Sequence, residues 1–229
     1  VTNSAANFYA GVSEKEAAAF YQKLKKGNDP EPPSYGLNSK LVKENGKIVE
    51  QVWKVDGLYG SAIKEIVSWL EKAATVAENE QQKKSIELLI SYYKTGNLKT
   101  FDEYNINWLK DTVSAVDFVN GFIESYSDPL GLKANWEALV NFKDMKATKR
   151  VTTITTNGQW FEDNSPIDPS YKKKEVRGVS AKVITVAQLG GECYPSTPIG
   201  INLPNADGIR KAQGSNSVTL ENMSAAYDL

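Results

Sequence analysis

Two stretches of the chain repeat apolar residues at the spacing of an amphipathic helix. From Leu58 to Ala77 the residues Ala62, Ile63, Ile66, Val67, Leu70, Ala73 and Ala74 recur on one face. Between Asn79 and Lys94 the rhythm is kept by Ile86, Leu89, Ile90 and Tyr93, with Gly96 placed to cap the end. The short linker between them predicts antiparallel packing. An earlier helix starts at Ser13-Glu-Lys-Glu16, where Ser13 can accept from the third backbone N–H while Glu16 reaches back. Ala17, Phe20, Tyr21 and Leu24 carry its apolar face to about Lys26, and Gly27-Asn28 ends it. Pro30, Pro32 and Pro33 then interrupt regular structure.

Between Leu37 and Trp53 the pattern alternates around Asn45-Gly46, which predicts a hairpin with strands near 40–43 and 47–52. Short helices are predicted over 101–111 and 113–125, the second closed by Asp128-Pro129-Leu130-Gly131. Another is predicted from Asn135 to about Thr152, reaching as far as Asn157. Val179–Leu189 reads as a strand, and Gly190-Gly191 to Pro198 as a loop. Gly200–Pro204 is a short extended segment; its proline suits an edge strand, because proline cannot donate to a ladder. A last helix begins at Thr219. The fold class that follows is α+β, mainly helical, with a hairpin and short strands. No internal repeat is visible.

Charge narrows the function. Lys and Arg total 27 against 28 Asp and Glu, a net charge of -1, so nothing favours nucleic acid or an anionic membrane surface. The run Lys172-Lys173-Lys174 is a solvated loop. No apolar run approaches a membrane span. The one cysteine, Cys193, makes an intrachain disulfide impossible and reads as a small buried hydrophobe. There is no histidine, so neither a His-dependent nucleophile nor a His-based zinc site can be assembled within the chain.

Four groups of residues could carry chemistry. Glu124 and Tyr126 flank Ser125 at a predicted helix end, a place that can turn a carboxylate and a phenol toward one cleft or simply expose them. Asn202 and Asn205 flank Pro204, with Asp207 and Arg210 behind; such amides either fix a peptide backbone or make an Asx turn into a helix. Trp160-Phe161-Glu162-Asp163 reads as packing at a helix end, and Glu192 with Cys193 is a weak case for a metal.

The segment Gly121-Phe-Ile-Glu-Ser-Tyr-Ser-Asp-Pro-Leu-Gly131 resembles the GFIESY-x-DP-x-G segment of the dipeptidyl peptidase III family. Downstream, Gly200-Ile-Asn-Leu-Pro-Asn205 with Asp207 and Arg210 is similar to the family's GIN-x-PN-x-D-x-x-R segment. Trp108-Leu-Lys-Asp111, Lys-Val-Ile-Thr-Val and Ser-Val-Thr-Leu-Glu-Asn fit in order, and 37–43 looks like the Bacteroidetes branch.

That resemblance implies a two-lobed zinc exopeptidase that releases dipeptides from the N-terminus of short peptides. Its lower lobe is built round a small β-barrel, and the peptide adds a strand to a barrel edge. By the same resemblance, residues 1–130 are a helical region with a hairpin in the lower lobe, 131–178 reach toward the zinc lobe, and 179–229 hold the strands and the substrate edge. Glu124 is implied to hold the substrate ammonium, and Tyr126 to lie by the scissile carbonyl as the catalytic group. Asn202 and Asn205 contact the peptide's amino end, and Ile201, Asp207 and Arg210 belong to the same substrate-binding set. The zinc motif, His-Glu-x-x-Gly-His, is expected beyond Leu229, and the start of the lower lobe before Val1. Zinc is thus expected in the full-length parent and not in this chain, whose partners are a short peptide and the remaining zinc lobe, with no nucleic acid and no membrane. The expected compartment is the cytoplasm, with the periplasm left open. A rival reading is a non-catalytic peptide-binding or interaction module on the same scaffold.

Overall fold

The computed structural model describes residues 6–25, 32–176, 179–195 and 197–227. In chain order the elements are β1 (Tyr9–Ala10), α1 (Glu14–Leu24), β2 (Ser39–Glu44), β3 (Lys47–Val52), α2 (Gly60–Ala74), α3 (Glu80–Thr95) and α4 (Leu98–Lys110). They continue as β4 (Val116–Glu124), β5 (Asn135–Lys143), α5 (Met145–Thr156), α6 (Gly158–Asp163) and a 3-10 turn at Pro169–Tyr171. The last are β6 (Val179–Gly191), β7 (Gly200–Leu203), α7 (Asp207–Gln213), β8 (Ser215–Leu220) and α8 (Glu221–Tyr227). The chain forms two compact units, one of residues 1–111 and 120–137, the other of 112–119 and 138–229.

Local signals in the first unit act as their chemistry dictates. Ser13 and Glu16 form the full capping box of α1. Asn45 and Gly46 take positive φ of 49° and 77°, the turn that joins β2 to β3 in antiparallel register. Gly96 ends α3 at φ 72°, and Asn79 caps its start. The end of α1 at Gly27-Asn28, and Pro30, lie outside the described residues. Val12, Ala17, Tyr21 and Leu41 make one buried cluster, against which Tyr9, Phe20, Leu130 and Leu132 pack. Tyr92 stacks on Phe101 at 4.5 Å, and Trp53 meets Phe122 at 4.8 Å.

Lys133 is fully buried in this unit. Its ammonium donates to the Tyr21 hydroxyl (2.6 Å), the Ser39 carbonyl (2.9 Å) and hydroxyl (3.1 Å), and the Gly36 carbonyl (3.3 Å). Tyr21 and Ser39 in turn donate to Glu50 at 2.7 and 2.6 Å. Burial lowers the Lys133 pKa from 10.5 to about 8, against the opposing charges of Glu50 and Asp128.

In the second unit β8 pairs with β6 in parallel and with β7 antiparallel, and the five-stranded order is β4-β5-β6-β8-β7. Helix α5 starts from the Asp144 cap and lies on β6, where the Thr148 hydroxyl accepts from the Val183 N–H at 3.1 Å. Asn222 of α8 exchanges two bonds with the backbone of Val186 on β6. Lys182 pairs with Asp117 at 3.2 Å, both largely buried.

Several expectations need correction. Residues 116–124 are a strand, not the middle of a helix. Residues 135–143 are also a strand, and helix begins only at Met145. Thr219 and Leu220 close β8 before α8 starts. Helix α4 begins one turn earlier, at Leu98, and β6 runs on to Gly191. The three-stranded order β1-β2-β3 and the five-stranded sheet are open among the described residues, so the barrel is not formed. Closure requires the outermost strands to pair, and β7, four residues long, is hydrogen-bonded only to β8. The expected edge strand is there: β7 is the last strand of its sheet.

Folded Lys133 sheds its proton near pH 8, whereas in the unfolded chain the proton is held to the ordinary 10.5. Between those values the unfolded state binds more protons, so stability rises with pH. Tyr21, Tyr92 and Tyr93 are pushed by burial above their ordinary 10.0, so above that the unfolded chain ionises first and stability falls. Unfolding free energies from urea titrations at pH 7 to 11 should therefore rise by up to about 2 kcal/mol toward pH 10 and then fall. Lys133→Met should abolish the rise and leave the fall. A flat wild-type profile between pH 8 and 10 would count against the buried ammonium.

Candidate functional site

Strand β4 carries the first group of residues to its end. The Tyr93 hydroxyl donates to the Asn120 side chain and accepts from the Trp136 indole N–H at 2.8 Å, which fixes β4 and β5 against α3. A Cβ at Gly121 would lie 2.9 Å from the Phe101 ring, so glycine is needed for the strand to pass so closely. Phe122 is buried and Glu124, two residues on, is half-buried. The strand then ends and the chain turns.

The turn is held by Asp128. One carboxylate oxygen accepts from the N–H groups of Leu132 (2.8 Å) and Lys133 (2.9 Å) and from the Tyr9 hydroxyl (2.9 Å); the other accepts from the Leu130 N–H at 3.2 Å. The Asp128 N–H donates to the Ser125 carbonyl at 3.1 Å, and Gly131 donates to the Asp128 carbonyl at 2.9 Å. Gly131, at φ 63°, takes the left-handed conformation that lets the turn close.

Tyr126 stands out from this turn, 89% exposed. Glu124, two residues earlier, is near enough for its carboxylate charge to act on the phenol. That negative charge, ahead of slight burial and the charge of Glu137, raises the phenol above its ordinary 10.0. The phenol is therefore a proton donor at neutral pH and not a base. Glu137, buried on β5, was not singled out in the sequence. The signal that finds it is the alternation of β5, in which Glu137, Leu139 and Asn141 share the buried face. Also in this unit, Phe8, Trp53, Tyr59, Ile63, Phe122 and Trp136 line an apolar groove of about 490 Å³.

The second group belongs to the other unit. Ile201 and Asn202 are on β7, opposite Val218 and Ser217 of β8. Asn202 and Asn205 are exposed, while Leu203 and Pro204 between them are buried. Asp207 and Arg210 are exposed on α7, which starts directly after Asn205-Ala206. The structure thus places Glu124 and Tyr126 together at the end of β4 and strings Ile201, Asn202 and Asn205 along one edge segment. Of the other candidates, Trp160 and Phe161 are exposed on α6, and Cys193 is buried.

The implied zinc was tested against the donors present. Zinc needs at least three histidine, cysteine or carboxylate ligands brought together. The chain has no histidine, and no three His, Cys, Asp or Glu residues are grouped among the described residues. These residues do not fit a zinc site. Nor is any described helix long and apolar enough to cross a membrane.

Comparison with known proteins gives a consistent picture. Residues 31–228 match the model described as Peptidase family M49. The chain is 31% identical over 175 residues to dipeptidyl peptidase 3 of Dictyostelium discoideum, covering 75% of this chain and 24% of that protein. It is 27% identical over 171 residues to dipeptidyl peptidase 3 of Nematostella vectensis, covering 75% and 23%. The solved structure of DPP III from Caldithrix abyssi superposes with a TM-score of 0.80 at 23% identity, over 97% of this chain and 42% of that one, a likeness of fold. The chain spans about a quarter of the length of the curated relatives it matches.

Proposed function

Because this chain belongs to peptidase family M49, we propose that it supplies the peptide-positioning residues of a zinc-dependent dipeptidyl peptidase. The parent would remove dipeptides from the N-terminus of short peptides, with the cytoplasm as its compartment. The observation that carries the reading is the placement of half-buried Glu124 beside exposed Tyr126 at the end of β4, close enough for its charge to act on the phenol.

The chemistry suits a free amino terminus. Glu124 is the acceptor for the substrate ammonium, and the nearby Glu137 charge adds to the attraction. With an ammonium held by the Glu124 carboxylate, the exposed Tyr126 O–H is placed to turn toward the carbonyl oxygen of the bond to be cut. A donor aimed at the oxygen on which charge develops stabilises the transition state more than the bound substrate. In the second unit, Asn202 and Asn205 offer amides to a peptide backbone, with Ile201, Asp207 and Arg210 on the same segment. The open edge of β7 suits an extended peptide that adds as a further strand. Fixing the distance from a charged terminus to the scissile bond is what makes a dipeptide the unit released. The metal and the general base come from the rest of the parent.

Three outcomes test this. The 229-residue chain alone should neither retain stoichiometric zinc by elemental analysis nor release dipeptides; either result in pure protein would contradict the division of labour. In the full-length parent, Tyr126→Phe should lower kcat on the order of 100-fold with a smaller rise in KM. A pure KM effect would remove Tyr126 from the transition state. Glu124→Gln should raise the inhibition constant of a free-amino tripeptide by about tenfold or more and leave its N-acetylated counterpart unchanged. Equal losses on both peptides would deny Glu124 its ammonium.

A further inference from the structure

We propose that Lys133 is a positioning residue for amino-terminus recognition, its buried side chain locking the turn that presents Tyr126 beside Glu124. The inference rests on the functional reading above, since it gives Lys133 a role only through those two groups.

The turn from β4 to β5 is closed by its own hydrogen bonds, and these begin on Ser125, the residue flanked by Glu124 and Tyr126. Such a closed turn keeps its shape but can still pivot as a body. Two attachments stop it. Asp128, in the middle, receives the Tyr9 hydroxyl from β1. Lys133, at the far end, reaches into the core and donates to oxygens of Gly36, Ser39 and Tyr21. The rings of Tyr21 and Tyr9 flank the ammonium at 4.9 and 5.4 Å. The Ala134 N–H continues the attachment by donating to the Leu37 carbonyl at 2.9 Å.

The chemistry of the residue argues for position over bulk. A buried ammonium is costly, and an apolar side chain of similar volume is often as stable or more so. What an apolar chain lacks is direction. Three N–H groups shared among four fixed oxygens leave the Lys133 ammonium one place to sit, and the backbone N–H of the same residue is bound to Asp128. The two holds meet at one residue, so the position of the turn follows from the position of the ammonium. Displacing a group by about 1 Å can cost a factor of 100 in rate, which is the leverage this arrangement protects.

The test uses the zinc-loaded parent and three variants. Lys133→Met removes the ammonium and keeps most of the volume. Tyr9→Phe keeps the ring and removes only the hydroxyl held by Asp128. Leu89→Ala, in the buried helix core, destabilises without touching the turn. Each is assayed at a fixed interval below its own Tm, with inhibition constants for a free-amino tripeptide and its N-acetylated form. The expected result is a loss of discrimination between the two peptides of about tenfold in Lys133→Met and a smaller loss in Tyr9→Phe. Leu89→Ala should keep the wild-type ratio. Wild-type discrimination in Lys133→Met, with only its Tm lowered, would reduce Lys133 to a structural residue. If Lys133→Met fails to fold, Tyr9→Phe decides: an unchanged ratio overturns the proposal. Glu124→Gln separates the two levels. If it leaves discrimination intact, the functional reading fails; if it abolishes discrimination while the Lys133 and Tyr9 variants do not, only the present inference fails.

Discussion

Burying the Lys133 ammonium commits the chain around it to supplying oxygens, because an ammonium taken out of water without partners costs several kcal/mol. The oxygens come from three places in sequence: Tyr21 in α1, Gly36 before β2, and Ser39 at its first position. Glu50 on β3 then accepts from Tyr21 and Ser39, so the charge is balanced one step away and not by direct contact. A helix, a hairpin and a turn that differ widely in sequence position are thus tied to one atom. The surrounding apolar cluster of Val12, Ala17 and Leu41 excludes water and makes those ties strong.

The second unit uses the same device more simply. Lys182 in the interior strand β6 meets Asp117 on β4, two nearly buried charges that set which residues of those strands lie inside. Around that pair the helices are docked by backbone-directed side chains. Thr148 and Asn222 each exchange hydrogen bonds with a backbone group of β6, which fixes their helices lengthwise as apolar packing alone would not.

How far the sequence can be read follows from where its signals are local. The capping box of α1, the Asn45-Gly46 turn and the glycine end of α3 each depend on a few neighbouring residues, and each forms as predicted. Strand β4 misleads because Val116, Val119, Phe122 and Ile123 also satisfy helical spacing. Its β-branched and aromatic content, and the passage of Gly121 over Phe101, favour the strand through contacts invisible in a linear window. Strand β5 misleads in a different way. Its alternation has the period of a strand, with Trp136, Ala138, Val140 and Phe142 at every second position, but Leu139 interrupts it and the buried face is the one carrying Glu137 and Asn141, so the apolar set points to the wrong side. Resemblance draws attention to Glu124 and Tyr126 in the sequence, whereas Glu137 is noticed only once β5 is recognised as a strand.

The exposure of Tyr126 bears on what this part of the molecule can do. An O–H in water exchanges one hydrogen bond for another and gains little from a substrate oxygen. As a donor to developing charge it becomes effective where water is excluded and the effective dielectric falls. At 89% exposure the Tyr126 hydroxyl lacks that setting here. Recognition of an ammonium by a carboxylate tolerates solvent better, since the charge–charge attraction survives partial hydration. Under the proposed function, then, the two residues mature differently. Glu124 can recognise an amino terminus with the elements present in this chain, whereas Tyr126 gains its catalytic value only when other parts of the parent close over the peptide.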